Sequence, residues 1–379
     1  MKKIRTGVIG TGFIGAVHIE QLRRLGNVDV AAMTETMDTQ KKTEALSVPK
    51  GYSDYKEMID KENLDCVHIC TGNNTHYEIA DYALEKGVNV VCEKPLTLTS
   101  AEGEKLVKKA KEKGLVNAVN YNCRFYPLVY QMREMIRAGE VGDIYTVHGG
   151  YLQDWLYLDT DYNWRLEPEL SGASRAFSDI GTHWLDMVQY VTGLKAVEIL
   201  ADFAIFHKTR KKPLKPVETY SGMALRPEDY QSVPIKTEDY ATVLFHFENG
   251  ARGCCNISQV FAGRKNQMLL SIGGSKCAMH WDSENSNSLW VGRRETLNGE
   301  YVKDPSILKP AVGSVTSYPG GHVEGFPDSF KQNFTKIYHA IAAGKQAEGE
   351  YATFEDGLKE MVFCEKVIES AKEGRWVKI

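Results

Sequence analysis

Hydrophobic positions up to residue 120 fall into short apolar runs separated by stretches with helical spacing. Ile4 to Ile9 predicts a buried strand, Phe13 to Leu25 a helix, and Val28 to Met33 a second strand. Asp65 to Cys70 and Val88 to Cys92 repeat the strand pattern, with a helical stretch from Thr75 to Lys86 between them. Ser100 to Lys113 is a charged amphipathic helix, opened by Ser100 ahead of Glu102 and closed by Gly114. Val116 to Asn120 ends the series. Strands alternating with helices predict βαβ units, hence a parallel sheet covered on both faces.

Beyond residue 126 the pattern changes. Pro127 to Ala138 predicts a helix ended by Gly139. Strand patterns follow at Ile144 to Gln153, Ala196 to Phe206, Ala241 to Phe247, Ala251 to Gln259, Met268 to Ile272 and Lys276 to Trp281. Glycine turns such as Glu248-Asn249-Gly250 join several of them, which predicts antiparallel pairing. Helices at Thr182 to Val191, Phe326 to Ala343 and Phe354 to Ala371 make this half α+β. Lys208 to Lys236 and Glu295 to Gly325 read as long loops. The first carries Lys208, Arg210, Lys211, Lys212 and Lys215, expected to be a solvated surface.

Composition narrows the function classes. The 379 residues carry 42% apolar and 25% charged positions and a net charge of -4, ordinary for a globular chain of two or three domains. Nothing draws such a chain to nucleic acid, and the basic cluster lacks interleaved aromatics. No apolar run approaches the roughly 20 residues of a membrane span. Eight cysteines without a CxxC pair read as buried free thiols, and no secretory leader pattern opens the chain, so a cytoplasmic protein is expected. No histidine pair stands at metal-ligand spacing, and no metal is expected.

Three motifs carry chemistry. Gly10, Gly12 and Gly15, with Phe13 and Ile14 between them, stand in GxGxxG spacing between a strand and a helix. In that place the first glycine allows a tight turn, the second lets backbone approach a pyrophosphate, and the third lets helix and strand pack closely. Glu35 follows the second strand, where a carboxylate accepts from a ribose hydroxyl and repels a 2′-phosphate; this favours NAD over NADP. Glu93-Lys94-Pro95 stands directly after a strand end, so Lys94 faces the cleft of an open sheet and is a candidate to polarise a substrate oxygen. Asp179 and His183 lie four residues apart at a helix start, where a histidine can take a hydroxyl proton as a hydride leaves the same carbon. The plain structural roles are a helix cap for Asp179 and a core histidine for His183.

The ordered set GTGFIG, Glu35, CTGNNTH, CEKP and DIGTHWLD resembles the glucose–fructose oxidoreductase / inositol dehydrogenase / rhizopine catabolism (Gfo/Idh/MocA) family over nearly the whole chain. The resemblance implies an α/β fold: an N-terminal Rossmann dinucleotide-binding domain over 1–123, and a C-terminal α+β domain with a large, mostly antiparallel sheet over 124–379. It implies Lys94 and His183 as the catalytic pair with Asp179 beside them. It places Thr71, Asn73, His76 and Glu93 near the nicotinamide, with Lys94, Asn122, Trp164 and Arg165 as further cofactor contacts. Arg124, Tyr126, Gln153, Asp154, Trp155 and His322 are the expected substrate contacts, alongside Asp179 and His183. Gly72 and Cys123 stand where many members carry proline and arginine.

The implied activity is NAD(P)-dependent hydride transfer at a secondary hydroxyl or ketone of a sugar, glycoside or polyol. Two alternatives stay open: an enzyme that recycles its NAD during elimination or glycoside cleavage, and a non-catalytic dinucleotide sensor. A homo-oligomer, dimer or tetramer, is expected.

Overall fold

The computed structural model describes residues 3–215 and 226–379. The first apolar runs become a sheet of β1 (Ile4–Ile9), β2 (Val28–Thr34), β3 (Gly51–Tyr52), β4 (Cys66–Ile69), β5 (Asn89–Cys92) and β6 (Asn117–Val119). Its order is β3-β2-β1-β4-β5-β6 and its pairings are parallel. Helices α1 (Phe13–Arg23), α2 (Thr39–Ala45), α3 (Tyr55–Glu62), α4 (His76–Glu85) and α5 (Ser100–Lys113) make the crossovers. Ile9, Val67, Ile69 and Val90 from the strands and Ala80, Leu84 and Leu106 from the helices share one buried core. The strand order turns back between β1 and β4, and crevices for ligands open at the carboxyl ends of strands at such a switch.

The cap of α5 differs from expectation. Thr99, not Ser100, is the N-cap, accepting from the Glu102 amide at 3.3 Å, and Gly114 closes the helix at φ 64°. A threonine in extended conformation is free to turn its hydroxyl back on the first turn, whereas Ser100 already lies inside the helix.

Packing groups the residues through Ala138 with Val302–Val362, and Gly139–Tyr301 with Phe363–Ile379. The helix α6 (Pro127–Arg137) therefore belongs with the parallel sheet. So does the later helix spanning Phe326–Ala343, whose Tyr338 hydroxyl lies 2.8 Å from Thr6 Oγ1 of β1.

The second unit is built on β7 (Ile144–Leu152), followed by the short helix α7 (Pro168–Ser171), α8 (Thr182–Thr192) and β8 (Ala196–Ala204). A separate antiparallel pair, β9 (Thr209–Pro213) and β10 (Tyr230–Pro234), comes next. Strands β11 (Tyr240–Phe247), β12 (Arg252–Ser258), β13 (Gln267–Gly274), β14 (Ala278–Asp282), β15 (Ser288–Gly292) and β16 (Gly299–Val302) complete the run before α9 (Phe326–Ala343), α10 (Phe354–Glu373) and β17 (Val377–Lys378). The large sheet has the order β16-β15-β14-β13-β7-β12-β11-β8-β17; β12 and β7 run parallel, and the remaining described pairs antiparallel. Alternation sends Val243, Phe245, Ile257, Leu270 and Trp281 to a buried face, while Leu244 and Asn256 point to the other. Trp184 of α8 covers the buried face, with its ring 5.8 Å from Phe245 and its Nε1 donating to the Leu269 carbonyl at 2.8 Å.

Both expected long loops hold structure. Within Lys208 to Lys236, β9 and β10 pair, and Arg210 is not solvated but buried against Asp239; positions 216–225 of that segment lie outside the described residues. Within Glu295 to Gly325, β16 joins the sheet, and the buried ammonium of Lys303 pairs with Glu324 at 2.8 Å. These short strands have no apolar alternation of their own; long-range pairing fixes them. All eight cysteines are free, and most are buried.

Candidate active site

In the first unit, glycines shape the turn after β1. Gly10 has φ 83°, and a Cβ on it would meet the Cys70 carbonyl oxygen at 2.9 Å. A Cβ on Gly15 would sit 2.0 Å from the Gly10 oxygen, so α1 packs on β1 only through glycine. A Cβ on Gly12 would meet no atom within 4 Å, and Gly12 and Phe13 are exposed at the start of α1, with Ile14 half-buried behind them. This open space before a helix N-terminus fits a pyrophosphate.

Glu35 stands at the end of β2 beside that turn. Its Oε2 accepts from Thr11 Oγ1 at 2.9 Å and Lys42 Nζ at 2.8 Å, and its Oε1 from the Thr36 amide at 3.0 Å. Partial burial works against its charge, yet the bonds from Lys42 and Thr11 outweigh burial and hold its pKa below the usual carboxylate value. Sequence reasoning missed Lys42, which reaches Glu35 from the fourth residue of α2 and matches no motif.

The loops after β4 and β5 are tied together. His76 is buried, with Nδ1 2.7 Å from the Pro95 carbonyl oxygen and Nε2 3.2 Å from that of Thr71. Thr75 Oγ1 lies 2.7 Å from Thr71 Oγ1, and Asn73 starts the short turn that leads into α4. The Lys94–Pro95 peptide is cis, and Lys94 is half-buried. Glu93 is buried beneath this loop, with Oε1 2.8 Å from His18 Nε2 and bonded to Asn120. Burial opposes its charge, but His18, Asn120 and the Lys94 ammonium together bring its pKa down to about 2. Behind it, His18 Nδ1 faces His68 Nδ1 at 2.8 Å, and His68 Nε2 lies 3.0 Å from the Tyr338 hydroxyl. Burial, aided by His18, pushes the His68 pKa well below the usual imidazole value. This buried chain was not read from sequence, because His18, His68 and Tyr338 come from three distant segments.

Of the other expected contacts of this unit, three are buried and one is exposed. Asn122 is buried and donates to Ser329 Oγ at 2.7 Å; Arg124 is buried 3.7 Å from Asp356, and Tyr126 is buried beside them in sequence. His322 is exposed, with Nδ1 3.1 Å from the Gly320 carbonyl oxygen.

In the second unit the chain enters α8 through a wide π-helical turn, Phe177–Gly181. Asp179 sits inside this turn rather than capping the helix, whose N-cap is Gly181, and His183 lies in the first turn of α8. The His183 ring packs edge-on to Tyr151, with centroids 6.2 Å apart. Arg165 Nε lies 3.3 Å from Asp179 Oδ1, and its guanidinium covers the Trp164 ring at 4.6 Å. Gln259 Nε2 donates to Asp179 Oδ2 at 2.9 Å. Gln153 donates through Nε2 to Asn266 at 2.8 Å, while its buried Oε1 has no hydrogen-bond partner among the described residues. Asp154 accepts from Lys265 Nζ at 2.6 Å, and Trp155 Nε1 donates to the Lys265 carbonyl at 2.7 Å. Gln259, Asn266 and Lys265 went unnoticed in sequence, since single polar residues at strand ends carry no spacing signal. Among the described residues, no group of three or more His, Cys, Asp or Glu is placed to hold a metal. No helix among them is long and apolar enough to cross a membrane.

A glycine-shaped turn at the switch point of a six-stranded parallel sheet, joined in sequence to a large, mostly antiparallel sheet, defines an NAD-binding oxidoreductase. Residues 4–121 match the oxidoreductase family with an NAD-binding Rossmann fold, and residues 129–280 match the GFO/IDH/MocA C-terminal domain. The chain belongs to the Gfo/Idh/MocA family of oxidoreductases. It is 30% identical to the uncharacterized oxidoreductase YfiI of Bacillus subtilis over 86% of this chain and 82% of that one. It is 27% identical to levoglucosan dehydrogenase of Pseudarthrobacter phenanthrenivorans over 100% of this chain and 99% of that one. Among solved structures, an oxidoreductase domain protein from Kribbella flavida superposes with a TM-score of 0.89 at 28% identity, each chain covered completely.

Proposed function

We propose that this enzyme transfers hydride between NAD and a secondary hydroxyl or ketone of a sugar, glycoside or polyol. Bound NAD supplies the hydride acceptor or donor at its nicotinamide ring. Gly10, Gly12 and Gly15 with the start of α1 receive the pyrophosphate, and Glu35 accepts from the adenosine ribose hydroxyls. His183 takes the hydroxyl proton as the carbon–hydrogen bond breaks and returns it in the reverse direction. The Lys94 ammonium stabilises the negative charge that grows on the same oxygen. Asp179, held between Arg165 and Gln259, presents a fixed carboxylate to the substrate or to His183.

The observation that carries this reading is that half-buried Asp179, one turn before His183, is held by two donors from distant segments in a chain of this family. The full-length likeness to levoglucosan dehydrogenase supports a sugar-like ring as substrate. His183→Ala and Lys94→Ala test the roles on whichever ring compound the wild type oxidises. Each is expected to lower kcat by about 10²–10⁴-fold while NADH affinity, read by fluorescence, stays near wild type. Near-wild-type kcat in both variants contradicts the assignment.

A further inference from the structure

The second unit contains a buried ionic cluster that the proposed chemistry leaves unused. Asp239 is completely buried and accepts from both Arg175 and Arg210, the latter at 2.8 Å. The Arg175 side chain is itself buried, and its Nη1 donates to Gln259 Oε1 at 3.0 Å. A guanidinium has only donors, so the Gln259 atom facing it is the carbonyl oxygen whichever way the amide is first drawn. The amide nitrogen is therefore the atom 2.9 Å from Asp179 Oδ2. Gln259 is 1% exposed, so water does not compete for either end of the amide. Glu238 fixes the approach to the same turn, accepting from Ser174 Oγ at 2.6 Å and from the Arg175 and Phe177 amides at 2.9 and 3.0 Å.

We infer that Gln259 is a positioning residue: oriented by Arg175, it holds Asp179 as a carboxylate, one turn before His183. The inference rests on the reading in which Asp179 serves the reaction, and it adds the element that keeps Asp179 charged and still. The Gln259 dipole lies between a cation and an anion, carbonyl toward Arg175 and N–H toward Asp179, so it joins the two charges. Arg165 supplies the opposite donor from a half-buried loop, and His183 is the next titratable group along the chain. Glutamate at 259 keeps the bond to Arg175 but turns a second carboxylate toward Asp179. Two carboxylates at such a distance share a proton, and the upper step of the pair moves up. Methionine keeps the volume and removes the donor.

The test uses full-length protein labelled with 13Cγ-aspartate, with the Asp179 signal assigned by its loss in Asp179→Asn. In wild type the signal is that of a carboxylate at every pH above about 5. In Gln259→Glu its midpoint is expected about one pH unit or more higher. Gln259→Met is expected to shift it the same way by less. Unfolding temperatures are read in parallel, since a purely structural role lowers them without moving the titration. In turnover with NAD, Gln259→Glu loses kcat about tenfold one pH unit below its raised midpoint and recovers it as the pH rises past that midpoint. If Gln259→Glu and Gln259→Met both titrate at the wild-type midpoint while Asp179→Asn is inactive, the inference falls alone. If Asp179→Asn turns over like wild type, the reading of the site falls and takes the positioning role with it.

Discussion

The two units hold their candidate functional residues by different means. In the parallel-sheet unit, backbone does most of the placing: Gly10 and Gly15 set the turn, and strand ends deliver Glu35 and Lys94. In the antiparallel unit, side chains far apart in sequence do it. Gln259 reaches Asp179 across 80 positions, and Asp239 reaches Arg175 across 64. A site built on local backbone can be read from a short motif, and it survives changes elsewhere. A site built on buried ions depends on every member of the cluster, because removing one leaves its partner charged and unpaired in a dry interior.

That contrast sets the order of expected effects. Asp239→Asn removes the anion between Arg175 and Arg210 and is expected to destabilise the protein by about 3–5 kcal/mol. Urea unfolding measures the loss, and NADH affinity stays within about twofold if the first unit is independent of the cluster. A loss below about 1 kcal/mol contradicts the role given to these ions.

Acid weakens the buried chain of the first unit. Glu93 is lowered from 4.5 to about 2, so its stabilisation is complete above pH 4.5 and is lost as the pH falls toward 2. His68 is also lowered, from 6.5, so its preference for the neutral form adds a loss that begins near pH 6.5. For Glu93 the expected loss is on the order of 3 kcal/mol. Glu93→Gln is expected to flatten the acid limb of stability; an unchanged limb removes Glu93 from the account.

Cofactor choice is a smaller, local effect. Glu35→Ser removes the carboxylate and frees Lys42 for a 2′-phosphate. The ratio of kcat/KM for NAD over NADP is expected to fall at least about tenfold, near 1.4 kcal/mol. A ratio unchanged within twofold places selectivity elsewhere. Smallest of all, Thr99→Ala removes one cap and should cost about 1 kcal/mol in thermal unfolding, whereas Ser100→Ala, inside the helix, should change it by no more than a few tenths of a kcal/mol. Equal losses would return the cap to Ser100.

What sequence revealed follows the same division. Ile4–Ile9 and Phe326–Ala343 were legible to the residue, because one is a short, largely apolar segment running into a glycine turn and the other a long amphipathic repeat. The motif residues of the first unit were legible because glycine conformation and strand-end position are local properties. Thr99 was missed by one position, since threonine and serine signal the same cap. β9, β10 and β16 were hidden in segments without alternation, where pairing partners supply the order. Arg210 read as one more surface charge, and only Asp239 explains its burial. Gln259 and the His18–His68–Tyr338 chain lie in no motif, so only the folded chain brings them together.

The most direct test of the account is absorbance at 340 nm with purified protein, NAD or NADP, and a panel of levoglucosan, other sugars, glycosides and inositols. The account predicts NADH formation on one class of ring, with NAD preferred over NADP and with the signal abolished in His183→Ala. Flat traces on every ring with either cofactor, from protein that binds NADH, would contradict the proposed dehydrogenase activity.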